Sequence, residues 1–474
     1  MKVRGSYDVV VTGGGTAGAI AAIAAARLGA RTLLVEQYGS IGGVLAFGMG
    51  FLGAADAEGY WALGGIGREL VDRLAGLSGA TQVTIDPLFG SVVGQDPELT
   101  KIVLTDMCLE AGVQLLLHTF VADVLKGGAR IEGLVLANKS GLEIALAKAV
   151  VDCTGDADVV ARGGGEFTFG RSGDSLAQPV SCIFRVGGVD VDRVWDYLEA
   201  SPDEMSAPPG WSGQSHNAEY LRRTPGAHME GFQRLIAKAR EAGDFTIGKE
   251  SLGMYTFPGQ NVVGINVTRV QGVNGTDPDD VTRAEIETRR QMLQAVRFLV
   301  KYVPGFEKAY IVSAPAQIGV RESRHVKGSY TLDKDDIIGG TDFPDRIGRG
   351  AYPLDIHDVK PGTAALNTVV KGSGIQHWKI HRSYSVPVRA LVPLGLDNVV
   401  VGGRSISATH EAAASIRGQS VCMVTGHAAG AVAALAFERG VPARQVPVEE
   451  LQAVLRSQNA ILDRNVRVAS AEAA

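Results

Sequence analysis

Three groups of polar residues in the C-terminal half of the sequence have the chemistry to grip an anion and move a proton. Arg321, Arg324 and His325 follow an apolar run that reads as a strand. His377, His381, Arg382, Tyr384 and Arg389 form a second group, and His410, Glu411 and Arg417 a third. Arginine holds a carboxylate through two parallel charge-assisted hydrogen bonds. Histidine or tyrosine, placed beside a reacting carbon, can take or give a proton. The candidate catalytic set is therefore His410, Arg321, Arg324, His325, Tyr384, His381 and Arg417, with His410 foremost. Plainer uses compete with these. Arg321 beside Glu322 reads as well as a structural ion pair. His377 and His381, and His357 in its Pro- and Asp-rich surroundings, read as solvated loop residues.

A different chemistry lies at the other end of the chain, in Gly13-Gly14-Gly15-Thr16-Ala17-Gly18. Gly13 suits a tight turn, Gly15 lets the backbone approach a pyrophosphate, and Gly18 lets the following helix pack close to the strand. Unpaired N–H groups at the start of that helix would face the phosphates. Glu36 ends the next apolar run, where a carboxylate meets a ribose 2′-hydroxyl. The same carboxylate would repel a 2′-phosphate. These residues specify a dinucleotide, NAD and FAD alike.

The elements needed to position both sites can be read from the pattern. Tyr7 to Thr12 is a buried strand, an apolar helix follows to about Leu28, and Arg31 to Glu36 is the next strand, so the chain opens as a parallel sheet. Helices are predicted over Gly65 to Leu77 and Pro97 to Ala111. Strands are predicted over Val113 to His118, Val121 to Lys126, Ile131 to Ala137 and Ala147 to Asp152. Beyond Gly170 the apolar runs shorten. Helices are expected over Val189 to Glu199, Phe232 to Ala242 and Thr282 to Tyr302, a strand over Tyr310 to Val320, and mostly loop over Lys334 to Lys371. Asn398 to Gly402 returns as a buried strand, and a long helix runs to about Phe437.

Composition narrows the class. Of 474 residues, 61 are glycine, about 13% against a usual ~7%, and they cluster in turns after apolar runs, as in a protein wrapped around a large ligand. The net charge of −5 argues against a nucleic-acid partner. Cys108, Cys153, Cys182 and Cys422 are too dispersed for a zinc or iron–sulfur site, so no metal is expected. The apolar stretches at Gly18 to Ala30 and Val421 to Phe437 read as buried helices rather than as a signal or a span, which predicts a cytoplasmic protein without membrane contact.

The sequence resembles the FAD-dependent oxidoreductases related to fumarate reductase and succinate dehydrogenase flavoproteins, over nearly its whole length. The resemblance rests on the glycine motif with Glu36 and Gly42-Gly43, then on Asp152-Cys153-Thr154-Gly155-Asp156. It continues in Arg321-Glu322-Ser323-Arg324, in Val401-Gly402-Gly403-Arg404-Ser405-Ile406-Ser407-Ala408-Thr409-His410-Glu411, and in Gly426-His427-Ala428-Ala429-Gly430. His427 stands where glutamine is frequent.

The resemblance implies an α/β fold. A Rossmann-like FAD-binding domain, with a parallel sheet and a β-meander, would be formed by residues 1–174 and 388–474. An α+β substrate or cap domain, residues 175–387, would be inserted in it. FAD would be held by Gly13, Gly15, Thr16, Ala17, Gly18, Glu36, Gln37, Gly42, Gly43, Val44, Val121, Thr154, Gly155, Asp156, Gly403 and Arg404, and by a helix starting near Ser415 and Ile416.

Departures from the family carry expectations of their own. Tyr38-Gly39-Ser40-Ile41 lacks the histidine that tethers FAD in some relatives, so FAD is expected to be non-covalent. No cysteine cluster is present for iron–sulfur centres, so electrons would pass to or from a small molecule or O₂. Gly403-Arg404-Ser405 replaces the Gly-Asp-Ala usual in related hydroxylases, which speaks against a monooxygenase. The implied reaction is a hydride transfer between flavin N5 and a small polar substrate, a carboxylated one being among those the arginines would suit. An electron-transfer subunit of a larger complex and a non-redox FAD-dependent lyase or isomerase stand as alternatives. A homo-oligomer is compatible with all three.

Overall fold

The structure, a computed structural model, describes residues 1–86, 89–205, 217–360, 375–378 (backbone only) and 380–468. Its centre is a sheet built on the strand Lys2–Thr12, where Val9, Val10 and Val11 are fully buried. Burial on both faces explains the unbroken apolar run. Thr32–Val35 pairs parallel to one edge of this strand, with Gln114–Leu116 beyond it. Gly141–Asp152 pairs parallel to the other edge, placing Val10 opposite Val150.

Gly141–Asp152 then divides the sheet. Its first half pairs antiparallel with Arg130–Asn138, which pairs with Phe120–Gly127 to complete a meander. Its last residues pair parallel with Val399–Val401, the strand that returns from the far end of the chain. The mixed α/β class and the parallel sheet with its meander agree with expectation.

Two apolar helices cover this sheet, Thr16–Arg27 and Gln419–Arg439. They cross where Gly426 and Gly430 of the second meet Ala17 and Ala21 of the first. A Cβ at either glycine would stand 2.2 Å from the carbonyl oxygen of the facing alanine. The helix Gln419–Arg439 has the length and hydropathy of a membrane span, yet 94% of its apolar window is buried inside the protein.

A second, five-stranded antiparallel sheet follows the order Met229–Gly231, Leu252–Phe257, Gln260–Asn266, Phe184–Gly187, Tyr310–Ser313. The hairpin Leu252–Phe257/Gln260–Asn266, absent from the sequence reading, turns at Pro258-Gly259, with Gly259 at φ +64°. The helix Pro278–Tyr302 starts four residues before the expected Thr282, because the Asp277 carboxylate caps the N–H groups of Asp279 and Asp280 and Pro278 fits the first turn.

Three expectations are corrected. The strand from Tyr310 stops at Ser313, two residues short of Pro315, which has no N–H to pair. The stretch expected as loop from Lys334 holds the helix Lys334–Gly339, closed by an Asp333–Asp336 capping box, and the strands Arg346–Gly350 and Leu354–His357. Residues 361–374 of that stretch lie outside the described residues. The single long C-terminal helix is two, His410–Ile416 and Gln419–Arg439, broken at Arg417-Gly418.

Candidate active site

A cavity of about 830 Å³ runs from the C-terminal ends of the parallel strands to the antiparallel sheet. In its first arm, Gly13 takes φ +85°, and a Cβ there would lie 2.4 Å from the Cys153 carbonyl. A Cβ at Gly18 would lie 1.8 Å from the Gly13 carbonyl, so both positions demand glycine. Gly15 is different, since a Cβ there would meet nothing within 4 Å. Gly15 faces the cavity, no side chain caps the helix it begins, and Thr16 and Ala17 line the same wall. Open space against an uncapped helix N-terminus fits a pyrophosphate.

Glu36 closes that arm. Its carboxylate accepts the N–H groups of Gly14 (2.6 Å) and Tyr38 (2.8 Å). Burial raises its pKa against those two bonds. A carboxylate offers about four acceptor sites, so two remain for ribose hydroxyls. Gln37, Gly43, Val44 and Val121 line this arm, as do Thr154, Gly155 and Asp156. Gly42, buried at φ +108°, holds the turn from which Gly43 packs onto Gly15. Gly403 and Arg404 lie across the arm, Arg404 paired with Asp156 (2.9 Å) and bonded to Ser323 (3.1 Å). The residues present therefore suit a dinucleotide.

The helix end expected at Ser415 and Ile416 is displaced. Both residues are buried off the cavity, and Gly418 and Gln419, at the start of the next helix, line it instead. The break lets a 21-residue helix aim its N-terminal dipole into the cavity, where negative charge is stabilised.

The second arm is a chamber of charged and aromatic groups. Arg321 donates to the Pro179 carbonyl (2.5 Å) and, among the described residues, meets no carboxylate at ion-pair distance. Burial and the neighbouring Arg417 pull its pKa down to about 9. Arg417 pairs with Asp355 (3.0 Å), which also accepts the Tyr352 hydroxyl (2.9 Å). His357 lies 3.4 Å from the same carboxylate. Burial, with the Arg321 charge beside it, brings His357 down to about 3, so the ring is neutral. His228, Glu230, Tyr255 and Asn266 of the antiparallel sheet complete the wall.

Of the seven catalytic candidates, only Arg321 and Arg417 reach the cavity. Arg324 turns away to Asp158 (2.9 Å) and the Phe167 ring. His325 and His410 are buried around Glu322, His410 Nδ1 at 2.8 Å from both carboxylate oxygens. Burial would raise the Glu322 carboxyl, but the two imidazoles outweigh it and hold it at about 2. Arg321 and Glu322 are thus not partners: the arginine faces the cavity and the glutamate faces away. Tyr384 is fully buried with its hydroxyl on Ser415 Oγ (2.8 Å). His381 is exposed, and the His377 side chain lies outside the described residues. His357, expected on the surface, is buried in the chamber wall, because it belongs to a strand rather than a loop. His228, Glu230, Tyr255, Tyr352 and Asp355 were not singled out from the sequence. The alternation in the strand carrying Tyr255 was the available signal, but it is masked by burial on both faces.

Comparisons with known proteins accord with this geometry. The model of the FAD dependent oxidoreductase family matches residues 8–455. Digeranylgeranylglycerophospholipid reductase 2 of Methanothermobacter thermautotrophicus is 29% identical over 195 residues, which cover 39% of this chain and 48% of that protein. The chain thus spans about half the length of this curated relative. Among solved structures, a geranylgeranyl bacteriochlorophyll reductase-like protein from Thermoplasma acidophilum is 13% identical with a TM-score of 0.45, covering 96% of this chain and 84% of that one. A p-nitrophenol 4-monooxygenase from Pseudomonas putida is 10% identical with a TM-score of 0.47, covering 97% and 89%. With the family model spanning both the glycine turn and the returning strand, the chain belongs to the FAD dependent oxidoreductase family and is an oxidoreductase that uses FAD.

Proposed function

We propose that this oxidoreductase acts on a small carboxylate, oxidising or reducing a carbon next to it. The observation that carries this reading is the chamber's positive charge: among the described residues Arg321 has no carboxylate at ion-pair distance, in a buried wall beside Arg417. An uncompensated buried charge is costly unless a ligand neutralises it. A carboxylate would do so with the paired hydrogen bonds that guanidinium groups favour. Asp355 orients Arg417 and Tyr352, and the neutral His357 adds no competing charge. FAD, when bound, supplies the two-electron acceptor or donor for a hydride. The protein's share is to bind the anion, hold it beside the cofactor arm and exclude water. The segment ahead of Gly42-Gly43 has no histidine, which supports FAD held without a covalent tether.

The test is anaerobic. FAD-loaded protein is mixed with a panel of hydroxy acids, amino acids, unsaturated acids and sugars while flavin absorbance is followed; reduced protein is mixed with keto and unsaturated acids. At least one carboxylate should bleach or restore the flavin, and Arg321→Gln should weaken its binding by roughly 10- to 100-fold, the value of a charged hydrogen bond. Turnover of uncharged compounds alone, or an Arg321→Gln protein that binds carboxylates normally, would remove the basis for this reading.

A further inference from the structure

We propose that the carboxylate accepted by this chamber carries a flat aromatic ring, seated against Phe89, Tyr255 and Tyr352 while Arg321 holds the anion. The inference rests on the carboxylate reading above and names the substrate class within it.

The three aromatic side chains are buried, line the cavity and come from three parts of the chain. Phe89 directly precedes the strand Gly90–Val93, Tyr255 belongs to Leu252–Phe257, and Tyr352 leads into Leu354–His357. Phe89 and Tyr352 are stacked, with centroids 5.8 Å apart and planes inclined by 6°. The His228 ring joins Phe89 to Tyr255, at 5.8 Å from the first and 4.9 Å from the second. The rings thus form one continuous wall.

This wall stands between the two features a substrate must reach. On one side, Arg321 is close enough for its charge to act on both tyrosine hydroxyls. On the other, Tyr352 packs on Gly418, where a Cβ would stand 2.8 Å from Tyr352 Cγ. Gly418 opens the helix whose start lines the cavity, so the rings adjoin the cofactor arm.

The chamber's polar groups are mostly engaged with one another. The Tyr352 hydroxyl donates to Asp355 (2.9 Å), which also holds Arg417 (3.0 Å). The Tyr255 hydroxyl donates to Met49 Sδ (3.5 Å). Glu230 is taken up by Lys249 (2.9 Å), His228 (2.8 Å) and the Ser251 hydroxyl. A body rich in hydroxyls would give up its water here and find few partners in return. A flat ring gives up little, and ring-on-ring contact adds roughly 2- to 13-fold in affinity beyond the burial of its area.

The experiment titrates FAD-loaded full chain by calorimetry with four probes: benzoate, cyclohexanecarboxylate, acetate and benzamide. Benzoate should bind about 10- to 100-fold more tightly than acetate, from the apolar area it buries. It should also exceed cyclohexanecarboxylate, which has the same charge and a similar size but no flat ring, by roughly 2- to 13-fold. Phe89→Leu, which keeps apolar bulk and removes one ring, should shrink that second advantage at least about twofold. Arg321→Gln should weaken benzoate by about 10- to 100-fold, toward the level of the uncharged benzamide. Cyclohexanecarboxylate bound as tightly as benzoate, or an advantage untouched by Phe89→Leu, overturns the aromatic seat and leaves the carboxylate reading standing. If Phe89→Leu fails to hold FAD, the wild-type comparison of the two rings decides alone. Benzamide bound as tightly as benzoate, or no binding of any carboxylate, overturns both.

Discussion

Arg321 and His357 share one wall of the chamber; burial pulls both pKa values down, and the Arg321 charge adds to the effect on His357. His357 titrates at about 3 in the folded chain against 6.5 as a model group. The unfolded chain therefore binds a proton between those values that the folded chain refuses, and stability falls as pH drops below about 6.5. Glu322 works in the same direction over a lower window. Its folded carboxyl sits at about 2 against 4.5, so its contribution is present above 4.5 and is lost as pH falls toward 2. Urea midpoints measured from pH 7.5 to pH 5 should therefore decline, and His357→Asn should flatten that decline while leaving the later loss below pH 4.5 in place. An unchanged slope in His357→Asn would mean the imidazole is not held neutral. The same residue shows where sequence reading stops. A histidine among Pro and Asp looks solvated until the strand Leu354–His357 and its partner Ile375–Trp378 are known. Arg321 beside Glu322 read equally as an ion pair or as an anion site, and only the fold separated the two side chains, the arginine lining the cavity and the glutamate turning to His410.

At the scale of elements, the two apolar helices decide how the cofactor arm is built. Gly426 and Gly430 let Gln419–Arg439 lie against Thr16–Arg27 at the carbonyls of Ala17 and Ala21. Ala17 lines the cavity and Ala21 does not, so the two contacts have separable consequences. Gly430→Ala should cost about 1–3 kcal/mol in chemical denaturation, as overpacking does, with modest loss of FAD affinity. Gly426→Ala should cost similar stability and also weaken FAD binding, because the helix start that faces the phosphates must shift. Equal FAD dissociation constants in the two variants would show that the helix crossing does not reach the cofactor arm. The glycine motif and the strand–helix–strand unit were readable because a nucleotide fold imposes local rules on each residue. The break at Arg417-Gly418 was not, since its cause is packing: a Cβ at Gly418 would strike Tyr352 at 2.8 Å.

For the whole molecule, the cavity is the consequence of a chain that leaves the parallel sheet and returns to it. Val399–Val401 comes back beside Gly141–Asp152 after nearly 250 residues, bringing Arg404 against Asp156 and the helix Gln419–Arg439 against the glycine turn. Both ends of the chain line this arm, so FAD bound there would stabilise the fold by mass action. FAD at a hundredfold its dissociation constant should add about 2.7 kcal/mol. Removing it should lower the thermal midpoint, and the midpoint should climb with added FAD. A midpoint indifferent to FAD would contradict a site assembled from both ends of the chain.

The sequence by itself determined the dinucleotide arm and the opening of the parallel sheet, because these depend on short-range requirements: positive φ at Gly13, close approach at Gly18, a carboxylate at the end of the second strand; the meander and the family came from the resemblance of its motifs. Of the seven catalytic candidates, Arg321 and Arg417 line the cavity. Only the tertiary structure decided which polar residues share a wall. His228 and Glu230 come from the antiparallel sheet, Tyr352, Asp355 and His357 from a strand and its approach, and Arg417 from a helix break. His325, His410 and Tyr384 turn inward to satisfy buried partners. Such choices depend on contacts between residues far apart in the chain, where burial and charge pairing, not spacing, set each side chain's role.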